Sequence, residues 1–158
     1  MFAYPNGRHN SNVIASVRGA GFVGARTTAM LARELIFDPF RTPTSVQAFP
    51  HSRLDYLKNF LTSGDFRRNW NHLTRLPRAC HWVHLAMHLF DSVASSGGVW
   101  HLYGHSWEIN DFKLWEELRV VLDYVSNRPG VLYLPNSGVV RLVSVRPSAK
   151  EVLCSAGL

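Results

Sequence analysis

The segment His101 to Asp111, HLYGHSWEIND, constrains this chain most, because it carries an alternating apolar run straight into a polar loop with two histidines and a carboxylate. Gly97-Gly98 followed by Val99, His101 and Tyr103 predicts a buried strand over Gly98 to Ile109, with Asn110 or Asp111 capping the helix that follows. His105 then falls near the carboxyl end of that strand, where parallel α/β folds keep their chemistry. His101 and His105 share side-chain parity along such a strand and face the same way. Glu108 has the opposite parity and reaches their side only if the chain turns.

The rest of the chain alternates in the same manner. Phe2 to Pro5 predicts a strand, Ser11 to Ala20 a helix closed at Gly21, and Phe22 to Thr27 a second strand. Leu54 to Leu61 and Pro77 to Val93 predict helices. Leu114 to Val125 predicts another, stopped by Asn127 and Pro129; Val131 to Leu134 predicts a last strand and Ser137 to Val143 a final short helix. Strands separated by helices demand parallel pairing, so the expected class is α/β. A chain of 158 residues, 46% hydrophobic and 18% charged, has the composition of a globular domain.

Taken with its surroundings, GHSWE at 104–108 resembles the last catalytic motif of the polysaccharide deacetylases, the NodB-homology carbohydrate esterases. FAYPNG at 2–7, with Asn10, Val13, Ile14, Ala20-Gly21-Phe22 and Ala25-Arg26-Thr27-Thr28, is similar to the family's third motif and the helix and strand after it. Gly130 to Pro135 with Ser137 to Leu142 resembles its closing strand and helix. No TFDD-like or H-x-x-x-H motif stands upstream of FAYPNG, and the later D-x-x-x-D-W motif has no counterpart. The resemblance therefore implies the carboxyl-terminal half of a distorted (β/α) barrel: a partial domain over residues 1–145, a helical insertion at about 30–78, and a tail at 146–158.

What the resemblance implies for chemistry is hydrolysis of a carbon–nitrogen bond, the N-deacetylation of an amino-sugar glycan. His105 stands where the family has the histidine that protonates the departing amine, a task suited to imidazole. Asn6 stands near the backbone N–H that stabilises the oxyanion, with Pro5 and Gly7 shaping its turn. Arg26 is either a cation replacing the arginine that Ala3 lacks or half of a rim salt bridge. Tyr4, Trp107, Glu108 and His101 are the expected substrate contacts, with Trp107 a sugar-facing wall and Glu108 orienting His105 or a loop; His101 is equally read as an interior histidine. Asp38 or Glu34 would be the replacement partner for the imidazole. A zinc-like divalent metal belongs to the complete family enzyme, and none is expected on this chain alone. The expected partners are an N-acetylated glycan and a missing amino-terminal half, on this or another chain. The alternatives are a glycan-binding or interaction remnant without catalysis and a basic nucleic-acid- or surface-binding protein.

The second alternative rests on a net charge of +6. Arg41, Arg53, Lys58, Arg67, Arg68, Arg75 and Arg78 are interleaved with Tyr56, Phe60, Phe66 and Trp70, a mixture that tracks phosphate backbones or, more plainly, forms a cap with solvated arginines. No nucleic-acid motif accompanies it, and no nucleic acid is expected as partner. His81, His84 and His88 form the polar border of one helix rather than a metal site. Cys80 and Cys154 give no disulfide framework, so a reducing, cytoplasmic compartment is the default. No stretch approaches the ~20 apolar residues of a membrane span.

Overall fold

The computed structural model describes residues 1–33, 35, 37–52, 54–56 and 81–145. The fold is α/β, with short parallel strands and five α-helices among the described residues. The described parts of Met1–Thr27, Ile36–Thr42 and Leu132–Leu158 form one compact unit, and those of Thr28–Leu35 and Pro43–Val131 a second.

In the first unit, β1 (Phe2–Ala3) pairs in parallel with β2 (Ala25–Arg26), and Thr42 extends the ladder by a parallel bridge to Arg26. Helix α1 (Ser11–Gly19) connects the two strands. It starts where Asn10, extended at φ −143°, accepts a 2.9 Å bond from the Val13 N–H, satisfying a donor that has no partner within the helix. It ends at Gly21, whose φ of +81° suits glycine. Ile14 and Val17, one turn apart, pack with Tyr4, Ala25 and Phe40. A side chain at Gly24 would meet the Pro39 carbonyl at 2.6 Å and Val140 at 3.2 Å, so glycine lets these backbones approach. Val140 belongs to the last helix, α5 (Asn136–Val145), which starts one residue before Ser137 and runs past Val143.

The second unit holds β3 (Val46–Gln47), parallel to β4 (Leu102–Tyr103). Helix α2 (Trp82–Ser96) buries Trp82, Val83, Leu85, Ala86, Leu89 and Phe90. Spaced by three and four, these residues make one apolar face. Helix α4 (Trp115–Val125) packs on α2 with Val121 and Val125 buried. Trp82 is fully buried and spends its indole N–H on Glu117 at 2.5 Å. At Gly98 a Cβ would collide with the Arg33 carbonyl.

The expected strands are shortened. Phe22 and Val23 lie exposed ahead of β2, and Pro5–Gly7 is a 3-10 turn. The strand from Gly98 to Ile109 is corrected to Leu102–Tyr103, because the chain turns at His105 and α3 (Ser106–Asp111) begins. Asn110 and Asp111 lie at the end of α3 and cap nothing. Lys113, at φ +56°, turns the chain, and Leu114 precedes α4 without a side-chain cap. The expected strand Val131 to Leu134 is irregular, with Leu132, Tyr133 and Leu134 exposed. No barrel is present among the described residues: the strands form two separate two-stranded sheets.

The segment expected as an insertion supplies β3 itself. Its helix at Leu54 to Leu61 is seen at residues 54–56, and the remainder lies outside the described residues, as do Glu34, Arg53, Cys80, Cys154, the residues 57–80 and the tail. Of the basic-aromatic series, Arg41 is exposed 3.8 Å from Asp38 and Tyr56 is buried. No described helix is long and apolar enough to cross a membrane.

Candidate functional site

Both strands of the second unit end on polar residues, Gln47 and Tyr103, and the chain beyond each returns other polar groups to them. The Tyr103 hydroxyl donates to Gln47 Oε1 at 2.7 Å, and His51 Nε2 lies 2.9 Å from the same oxygen. Gln47 Nε2 donates to Glu108 Oε2 at 2.9 Å. Glu108 reaches this cluster because α3 starts at Ser106; on a continuing strand it would have pointed away. Burial raises the Tyr103 phenol above its ordinary range, with the Glu108 charge adding to it. Burial pushes the His51 imidazole below its ordinary 6.5, against a weaker upward pull from Asp55 and Glu108.

Alongside this cluster runs a row of rings. His105 stacks on Trp107 with centroids 4.2 Å apart and planes 18° from parallel, and Tyr103 meets His105 edge-on at 5.9 Å. Trp107 is 62% exposed, and Phe112 and Trp115 a few residues on are 54% exposed. His105 is half-buried, and neither ring nitrogen bonds to another described residue. Its orientation comes from stacking. Glu108 orients Gln47, not His105.

His101 is an interior residue of the second unit. Its Nδ1 lies 2.8 Å from Thr44 Oγ1, and its carbonyl accepts from the Ser45 and Val46 N–H groups. It ties the approach to β3 against β4, and because β4 ends at Tyr103 its shared parity with His105 is lost.

In the first unit, Asn6 sits at φ +51° in the Pro5–Gly7 turn. Gly7 N–H returns to Tyr4 O and Arg8 N–H to Pro5 O, while the Asn6 N–H bonds to no described residue. Tyr4 is corrected from a substrate contact to a core residue: it is 3% exposed, its hydroxyl donates to Phe40 O at 2.9 Å, and its ring stacks on His9. Burial holds the Arg26 guanidinium down to about 10, so it is charged at neutral pH. Its Nε and Nη2 both donate to Asn136 Oδ1, at 2.9 and 2.7 Å. That bond anchors the first residue of α5 to β2. Asp38 caps the 3-10 turn by accepting from the Phe40 N–H.

Gln47, His51, Tyr103 and Asn136 were not singled out in the sequence. The faint signal was Gln47 and His51 four apart just after a β-prone run. Among the described residues no three His, Cys, Asp or Glu side chains gather closely enough to hold a metal ion. His81 instead pairs with Glu117 at 3.4 Å, and His84 meets its ring edge-on at 6.3 Å. Among the described residues, then, no donor set fits the metal centre that the deacetylase resemblance implies. Comparison with protein-family models, with curated proteins and with solved structures finds no match to this chain.

Proposed function

We propose that the chain is a polysaccharide deacetylase-like protein acting on N-acetylated amino-sugar glycans, with the sugar seated on Trp107 and His105 beside the scissile carbon–nitrogen bond. The observation that carries this reading is the His105–Trp107 stack just past the carboxyl end of β4. A pyranose presents a flat face of C–H groups, and an exposed indole offers a matching apolar plane. An imidazole stacked on that indole, with neither ring nitrogen bonded to a described residue, is available to give a proton to the amine that leaves. Breaking an amide requires that proton, since an amide anion is a very poor leaving group.

A second reading, glycan binding without catalysis, is favoured by the lack of a metal-holding group among the described residues. Titration with N-acetylated chito-oligosaccharide, followed by an assay for acetate, separates the two. Acetate release that falls by about 10²- to 10⁴-fold in His105→Ala, without a comparable weakening of binding, selects the hydrolase. Saturable binding without acetate selects the binding protein. No binding refutes both.

A further inference from the structure

The hydrogen-bond cluster at the end of β3 fixes where the proton on His51 sits. Gln47 is 6% exposed, and its amide is committed on both sides. A carboxylate only accepts, so the atom facing Glu108 at 2.9 Å is the amide nitrogen. The amide oxygen then faces both Tyr103 and His51, and it too only accepts. His51 Nε2 must therefore carry a hydrogen. Burial disfavours a second proton on the ring, which leaves a lone pair on Nδ1. That nitrogen bonds to no described residue. Phe49 at 5.0 Å and Tyr56 at 5.5 Å hold the ring edge-on. Among the described residues the other charged group acting on it is Asp55, whose Oδ2 accepts from the Ser52 N–H and hydroxyl. An imidazole with fixed tautomer and fixed plane, and one acceptor atom unspent, is built to receive a hydrogen.

We propose that His51 Nδ1 is a ligand-binding atom that accepts a hydrogen bond from an uncharged donor on a sugar, the amide N–H of an N-acyl group or a hydroxyl, with Gln47 and Glu108 as its positioning residues. This rests on the glycan reading of the Trp107 face. Carboxylates and phosphates are poor partners, because they present only lone pairs to this lone pair and Glu108 adds like charge behind the amide.

The test uses the full chain with ¹⁵N-labelled histidine and long-range ¹H–¹⁵N spectra, titrated with triacetylchitotriose and with cellotriose. Before ligand, His51 is expected in the Nε2–H form, and Gln47→Leu lets the two tautomers mix. Added triacetylchitotriose shifts Nδ1, and His51→Ala weakens binding about three- to tenfold, the span of one neutral hydrogen bond. Preference for triacetylchitotriose over cellotriose puts the donor at the amide, and binding is then lost as acid protonates Nδ1; equal binding puts it at a hydroxyl. An Nδ1–H form in the wild type overturns the proposal, as does equal affinity in wild type and His51→Ala. If Trp107→Ala loses binding while His51→Ala keeps it, the glycan reading stands and this one falls. A wild type that holds the Nε2–H form yet binds neither sugar overturns the glycan reading and the ligand class together.

Discussion

The two units handle buried polar groups in opposite ways. In the first, they close on backbone or on one neighbour: Tyr4 on the Phe40 carbonyl, the Thr42 hydroxyl on the Pro39 carbonyl, Arg26 on Asn136. Each such bond pins one segment to the next. In the second, Gln47 bonds to three other side chains, and the cluster ends on a histidine with a nitrogen to spare. Side chain–side chain bonds are the minority kind in folded proteins, and a network of them has to be fully satisfied to be tolerated. The first pattern is that of a scaffold, and the second is the one on which the proposed site rests.

The largest expected effect tests the scaffold of the second unit. Trp82→Ala removes a fully buried side chain and its bond to Glu117, and should cost about 4 kcal/mol in urea unfolding. A loss under about 1 kcal/mol would mean that α2 does not seat on α4 through this residue. Gln47→Leu comes next. Stranding Glu108, Tyr103 and the His51 N–H should cost about 2 kcal/mol and should also weaken sugar binding. Tyr4→Phe, equally buried, should cost about 1 kcal/mol and leave binding unchanged. If Tyr4→Phe weakens binding and Gln47→Leu does not, the contrast between the units is reversed.

How much of this was legible in the sequence follows the same division. The Asn10 cap and the Gly21 stop were readable because both are local: a side chain bonds three residues on, and a backbone angle suits glycine. The end of β4 was not, since HLYGH alternates like a strand while SWEIND folds as a helix whose first turn turns Glu108 inward. The Gln47 cluster was invisible for a different reason. Gln47 meets Tyr103 and Glu108 across 56 and 61 residues, and it lies in a stretch expected to be an insertion. Tyr4 looked available because its burial depends on Phe40, far along the chain. Trp107 and His105 were found through a motif, and their stacking is what the structure adds.

The smallest expected effect is the dependence of stability on acid. Burial lowers the His51 value in the fold, so the unfolded chain takes up its proton at a higher pH than the folded one does. Stability is then full above about 6.5 and declines as pH falls through the lower folded value. Urea midpoints between pH 7.5 and 5 should show this decline, reduced in His51→Gln. An unchanged decline in that variant would assign the acid sensitivity to other groups and remove His51 from the buried cluster.

The central claim is that the face beyond β4 binds an N-acetylated sugar on Trp107, and the indole N–H signals of the protein test it most directly. On titration with triacetylchitotriose, the Trp107 signal, assigned through Trp107→Phe, should shift saturably. The Trp82 signal, buried and bonded to Glu117, should stay in place. A Trp107 signal that does not move at saturating sugar would contradict the account.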